Sequence, residues 1–283
     1  MAQLLTGKEV VAAMADDIKA RVERLAQQGI VPTLAIVRVG ERPDDLSYER
    51  TAEKRATSLG IAVKKHVLDS LAPEEAVRSA LQSVDYDAKV HGCLLFRPLP
   101  SYMNEKELCD SLVAAKDVDG ISLESLASVF TDGHDGFPPC TAEACVRMLD
   151  HYRVPIVGKH VVVIGRSLVI GKPVAMMLLR RNASVTICHS RTENLEAITK
   201  SADIVICATG RPRAFGARYF SPGQTVLDVG INFDAHGNLC GDVDFDEVEP
   251  IVAAITPVPG GIGSVTTSTT MEHTVRAAEQ TLA

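Results

Sequence analysis

Lys159-His-Val-Val-Val-Ile164-Gly165-Arg-Ser-Leu-Val-Ile-Gly171-Lys-Pro173 is the stretch that decides the fold. The run Lys159 to Ile164 is short, apolar and β-branched, which suits a strand buried on both faces. Gly165 lets the chain turn sharply. Pro173 suits the first turn of a helix, where its missing N–H has no intrahelical partner. Strand, glycine turn and helix form the first half of a βαβ unit, and the same alternation spreads outward in both directions. Downstream the sequence predicts a helix over Pro173 to Arg181 and a strand over Ser184 to Cys188. A short helix over Leu195 to Lys200 follows, with strands over Asp203 to Cys207, Thr225 to Val229 and Ala253 to Thr256. The last helix, Thr267 to Leu282, is expected to fold back on the first lobe. Upstream, strands are predicted over Thr33 to Val39, Val63 to Leu68 and Val90 to Phe96. Helices are predicted over Asp44 to Leu59, Pro73 to Val84 and Asn104 to Ala115. Thr131 to Pro139 collects glycine and proline and reads as a boundary. Thr141 to His151 reads as a helix capped by its threonine.

Two α/β lobes are therefore expected, one over residues 1–140 with 266–283 and a Rossmann-like one over 141–265. The length of 283 residues agrees with about two domains. With 46% hydrophobic and 23% charged residues, the chain can fill a core and lacks the bias of a disordered one. Its 29 basic and 36 acidic residues leave a net charge of −7, the wrong sign for a general nucleic-acid binder. No apolar run approaches the ~20 residues needed to span a bilayer, and Lys8 and Glu9 interrupt the N-terminus too early for a signal-peptide core. Seven cysteines, scattered and never in C-x-x-C spacing, argue against a disulfide scaffold or a zinc ribbon. A cytoplasmic protein without a structural metal, nucleic-acid partner or membrane segment is expected.

The glycine loop has two readings. It is an ordinary strand-to-helix turn, or a phosphate loop whose free N–H groups meet an anion at a helix start. Its glycines are six apart, unlike the familiar G-x-G-x-x-G. The next strand ends Cys188-His-Ser190-Arg191, with a hydroxyl and a guanidinium where an NAD-preferring unit tends to carry an acid. Ser190 and Arg191, with Arg166 in the loop, would suit the 2′-phosphate of NADP; otherwise they are solvated surface groups.

At these residues the sequence resembles the bifunctional methylenetetrahydrofolate dehydrogenase/methenyltetrahydrofolate cyclohydrolase family. The resemblance runs through Val90-His-Gly92, Lys116-Asp-Val-Asp-Gly120, Pro139-Cys-Thr141, Gly158-Lys159, Gly165-Arg-Ser167 with Gly171-Lys-Pro173, and Cys188-His-Ser-Arg-Thr192. It continues through Asp228-Val-Gly-Ile-Asn232, Gly241-Asp-Val243 and Thr256-Pro-Val-Pro-Gly-Gly261. It implies a homodimer of two-lobed subunits, an N-terminal folate-binding lobe, a tetrahydrofolate substrate in the interdomain cleft, and NADP on Gly165, Arg166, Ser167, Ser190, Arg191 and Ile231. It further implies that Asp119 holds the pterin, that Tyr48 packs beside the folate rings, and that Pro259, Gly260 and Gly261 line the cleft. Without the resemblance, these would read as a helix-initiating acid, a core aromatic and a bare turn. The family oxidises 5,10-methylenetetrahydrofolate to the methenyl cation and then hydrolyses that cation to 10-formyltetrahydrofolate.

The sequence departs from the family where hydrolysis is concerned. The family's lysine, four residues after the tyrosine, is Ala52 here, and the glutamine of V-H-G-x-x-x-Q-x-P-L-P is Phe96. Lys54 lies about 200° around the helix from position 52 and should point away, unless the helix is distorted. Asp45, Ala142 and Ser264 are milder departures. The expectation is an NADP-dependent dehydrogenase with weak or absent cyclohydrolase activity. The alternative is a paralogue that binds folate for a non-redox purpose such as one-carbon delivery or sensing.

Overall fold

The computed structural model describes residues 1–133 and 135–282; His134, in the expected boundary stretch, and Ala283, in the C-terminal segment, lie outside the described residues. The chain runs β1 (Gln3–Leu4), α1 (Gly7–Gln27), β2 (Thr33–Val39), α2 (Pro43–Ser58), β3 (Ala62–Leu68), α3 (Glu74–Tyr86), β4 (Gly92–Leu95), α4 (Glu105–Asp110), α5 (Leu123–Thr131) and α6 (Cys140–His151). It continues β5 (His160–Ile164), α7 (Gly171–Arg180), β6 (Ser184–Cys188), α8 (Leu195–Lys200), β7 (Ile204–Cys207) and β8 (Thr225–Asp228). Last come β9 (Asn232–Phe233), β10 (Leu239–Cys240), α9 (Phe245–Val248), β11 (Ala254–Ile255) and α10 (Ile262–Gln280).

These elements form two compact units. One joins Met1–Ala12 to Thr141–Thr266, and the other joins Ala13–Cys140 to the chain from Thr267 onward. In the first unit, six parallel strands lie in the order β1-β11-β8-β7-β5-β6. The chain steps from β5 outward to β6, then returns to the other side of β5 as β7. That reversal opens a crevice at the carboxyl ends of β5 and β7, the usual place for a ligand in such sheets. The second unit holds a parallel three-stranded sheet, β3-β2-β4. Its central strand is buried almost throughout, as its continuous run Thr-Leu-Ala-Ile-Val-Arg-Val requires. Arg38 on that strand donates to Glu49 of α2 at 2.6 Å, and both are buried. Val77, Ala80, Leu81 and Val84 form the buried stripe of α3.

The expected α/β architecture is present, and the C-terminal helix does return to the unit carrying β2. Arg21 of α1 donates to Glu272 at 2.7 Å and to Glu279 at 2.6 Å, both on α10. Several boundaries differ from the expectation. Residues 1–12 belong with the six-stranded unit: β1 pairs with β11, and the Gly7 N–H donates to Gly260 O at 2.7 Å. A Cβ on Gly7 would come within 2.3 Å of Gly261 O, so glycine is needed for that approach. Pro73 precedes α3 as its cap, and Thr141 lies inside α6, which starts at Cys140. The expected helix over Asn104 to Ala115 breaks after Asp110 and resumes as a single 3-10 turn, Ala114–Lys116. Sequence reading assigned no element to α1, α5 or the β9–β10 hairpin.

Candidate functional site

The crevice of the six-stranded unit is built by three strand ends. Gly165, after β5, has φ +137°, and a Cβ there would stand 2.2 Å from Ala208 O at the end of β7. A Cβ on Gly171 would likewise meet Gly165 O at 2.2 Å. The six-residue glycine spacing thus folds the loop back on the N-terminus of α7, which explains why the shorter motif is not needed. Ser167 Oγ accepts from the Ile170 N–H at 3.1 Å and holds the loop's shape. The pocket above measures about 480 Å³ and is lined by Gly165, Arg166, Ser167, His189, Ser190 and Thr209, among others. Arg211 and Arg218 also line it, and sequence reading missed both. The signal lay in Ala208-Thr-Gly-Arg211, a glycine turn directly after a strand at the sheet's reversal point. Arg191 is exposed beside Ser190, and its backbone N–H donates to His189 Nδ1 at 3.2 Å.

Two buried aspartates hold this pocket's far wall. Asp242 accepts from the backbone N–H groups of Thr209, Gly210 and Arg211, from Thr209 Oγ1 and from Asn232 Nδ2. Asp228 accepts from the N–H groups of Gly230, Asp242 and Val243 at 2.9 to 3.1 Å. Burial pushes the Asp228 pKa up to about 7, its hydrogen bonds opposing and the like charge of Asp242 adding. A Cβ on Gly241 would stand 1.8 Å from Asp228 Oδ2, and one on Gly230 would stand 2.2 Å from Asp242 Oδ1. The blocks around Asp228 and Asp242 are therefore two halves of one interlocking turn pair. A second hollow of about 210 Å³ in the same unit is lined by Ile231 and by Pro259, Gly260 and Gly261. Ile231 thus sits with the proline–glycine turn and not with the glycine loop.

In the three-stranded unit, Tyr48 of α2 lies against Phe96, which follows β4, with ring centroids 5.4 Å apart. Burial, then the electrostatic influence of Asp119 and Cys140, push the Tyr48 phenol well above its ordinary value; side-chain hydrogen bonds with Thr267 and Thr270 of α10 draw it back. Asp119 is presented by a turn that the rest of its block builds. Lys116 Nζ donates to the carbonyls of Val84, Asp85 and Asp87 at 2.8 to 2.9 Å and caps the end of α3. Asp117, fully buried, accepts from the N–H groups of Ile121 and Ser122. Gly120 has φ +67°, and a Cβ there would stand 2.5 Å from the Pro138–Pro139 backbone. Asp119 itself keeps a side-chain exposure of 23% and lies 3.9 Å from Arg97. Burial pushes its pKa up to about 6; Arg97 lowers it, Asp117 raises it, and Cys140 and His273 lower it. Ala52 is fully buried, whereas Lys54 is exposed. The helix is undistorted here, so Lys54 points to solvent, as its 200° offset requires.

A parallel sheet with a phosphate-type loop at its reversal point defines the Rossmann class of nucleotide-binding folds, here joined to a second α/β unit in which Tyr48, Phe96 and Asp119 lie near one another. Residues 139–282 match the NAD(P)-binding domain of the tetrahydrofolate dehydrogenase/cyclohydrolases, and residues 5–119 match their catalytic domain. The chain belongs to that family. It is 49% identical over 281 residues to the bifunctional protein FolD of Carboxydothermus hydrogenoformans, across 99% of this chain and 98% of that one. The crystal structure of the bifunctional FolD methylenetetrahydrofolate dehydrogenase/cyclohydrolase from Campylobacter jejuni superposes with a TM-score of 0.97 at 33% identity, over 99% of this chain and 100% of the other. The Trypanosoma brucei enzyme complexed with NADP and inhibitor gives 0.93 at 29% identity, over 99% and 98%.

Proposed function

We propose that this protein oxidises 5,10-methylenetetrahydrofolate to the methenyl cation with NADP, and that it hydrolyses the cation weakly or not at all. The pocket fits the dinucleotide. Two glycines are forced by close backbone approach, a ten-residue helix starts at the loop, and arginines line the walls. Bound there, NADP supplies the hydride acceptor. The Gly165–Ser167 backbone would cradle phosphate, and Ser190, Arg191 and Arg166 would receive the 2′-phosphate. In the other unit, Asp119 as a carboxylate would accept hydrogen bonds from the pterin ring. Tyr48 and Phe96, in contact with each other, would pack beside it. Oxidation then needs chiefly positioning of the donor carbon, because loss of a hydride calls for no side-chain base.

Hydrolysis makes a different demand. Water attacking the methenyl carbon must shed a proton, and a positioned acid–base group typically contributes ~10²–10⁴-fold. The observation that carries the reading is the pairing of a fully buried Ala52 with a buried Phe96 in tilted contact with Tyr48, while Lys54 is exposed. Neither Ala52 nor Phe96 can move a proton or orient water. Supplying methenyltetrahydrofolate and following the decay of its absorbance tests the point: the rate should stay close to that of an enzyme-free control. Decay accelerated to the level of a bifunctional relative would overturn it.

The same proposal takes the protein to be a cytoplasmic homodimer. In its support, all seven cysteines are buried, as suits a reducing compartment. No helix among the described residues is long and apolar enough to cross a membrane. Ile231, Phe233 and Leu239, on and beside the β9–β10 hairpin, expose apolar surface that a second copy would cover.

A further inference from the structure

Position 52 carries alanine where the resemblance expects a lysine, yet a cation stands beside Asp119. Arg97 follows Phe96 directly, and its guanidinium forks between two carboxylates. One nitrogen lies 3.9 Å from Asp119 Oδ2 and another 3.9 Å from Glu105 Oε1 of α4. Glu105 is itself fixed, since its Oε2 accepts from the Leu99 N–H at 2.7 Å. Arg97 and Asp119 are only about a quarter exposed, at 25% and 23%, so water screens the pair less than it would a surface one.

We infer that Arg97 is a positioning residue of the folate site, which holds the Asp119 carboxylate charged and aimed so that it can accept hydrogen bonds from the substrate's ring. This rests on the reading of Asp119 given above. The groups facing Asp119 make Arg97's part distinct. Tyr48 approaches from α2, Asp117 from the same turn, the Cys140 thiol from the start of α6, and His273 from α10. Asp117 favours the neutral acid. His273 Nδ1 is engaged with the Val118 carbonyl at 2.8 Å. Arg97 is the permanent cation in this group, and a guanidinium never gives up its proton. It can therefore hold a carboxylate ionised but cannot move protons for hydrolysis, which matches a site that keeps binding and gives up acid–base work. Burial works against it, pushing Asp119 up to about 6.

The test is the pH dependence of dehydrogenase kinetics in Arg97→Met and Arg97→Gln, two uncharged variants in case one fails to fold. Removing an opposite charge at this range raises a carboxylate pKa by about one unit or more. The acid limb of kcat/KM should move up by about that amount. KM for methylenetetrahydrofolate should rise about threefold at pH 6.5 and return to near the wild-type value at pH 8.5, where Asp119 ionises without help. kcat should change little, and Arg97→Lys should restore the limb. An unmoved limb, or a KM defect equal at both pH values, overturns the inference, because a merely structural role would not be cured by base. Asp119→Asn separates the two readings. If it raises KM while the uncharged Arg97 variants behave as wild type, Arg97 alone is wrongly placed. If it leaves KM unchanged, the pterin-binding reading of Asp119 falls, and the inference with it.

Discussion

Asp119 shows how a single residue couples function to stability. Its pKa of about 6 lies above its ordinary 3.8, so the folded state binds more protons than the unfolded one between those values. Its contribution to stability is therefore largest below pH 4 and is lost as pH rises through 6. If Asp119 binds the pterin as a carboxylate, as proposed, activity should rise over the same interval. Asp119→Asn should thus raise the Tm at pH 7.5 by roughly 2–4 °C while weakening folate binding; calorimetry and steady-state kinetics check the two halves. At the cofactor pocket, losing a charge-assisted hydrogen bond costs about 1.5–3 kcal/mol. Arg191→Ala should therefore raise KM for NADP⁺ roughly tenfold or more and leave KM for NAD⁺ nearly unchanged; equal effects on both cofactors would contradict the 2′-phosphate assignment. Ala52→Lys alone overfills a fully buried position and should destabilise by ~1–3 kcal/mol. Combined with Phe96→Gln, which frees volume, it should revive some hydrolysis of methenyltetrahydrofolate. Single residues were unevenly legible. Gly165 and Ser190 could be placed because a strand end fixes its neighbours. Arg97 and Arg211 could not, because a long side chain's direction depends on partners distant in sequence.

At the scale of elements, hydrophobic period decided what could be read. β2, β6 and α8 have the bounds expected of them, since each is a short run set off by turn residues. The helix α1 was overlooked although Met14, Ile18, Val22 and Leu25 form a buried stripe. The hairpin β9–β10 has two residues per strand, too few for any period to show. The Asp242 network is a tertiary feature of the same kind: one carboxylate joins the turn after β7 to the segment after β10. Asp242→Ala would strand three backbone N–H groups, each costing about 1–3 kcal/mol where buried. The turn over Thr209–Arg211 should loosen, with the Tm falling by several degrees and KM for NADP⁺ rising more than KM for the folate. A thermal melt with kinetics for both substrates checks this.

The whole molecule is a member of the tetrahydrofolate dehydrogenase/cyclohydrolase family, and the proposal of weak hydrolysis rests on Ala52 and Phe96 standing where the resemblance expects a lysine and a glutamine. Sequence blocks spread from Val90 to Gly261 made the family legible, whereas the units' division at Ala12 required the pairing of β1 with β11. Light scattering at micromolar concentration should give twice the chain mass of 30.3 kDa; a monomer would contradict the proposed homodimer. The most direct test of the account as a whole follows both products at once. The protein is incubated with methylenetetrahydrofolate and NADP⁺, and reduced nucleotide and methenyltetrahydrofolate are quantified over time beside an enzyme-free control for hydrolysis. The account predicts that the two rise together, one for one, once the control's decay is subtracted. Reduced nucleotide accumulating while 10-formyltetrahydrofolate replaces the methenyl product at a comparable rate would contradict it, as would no reduced nucleotide at all.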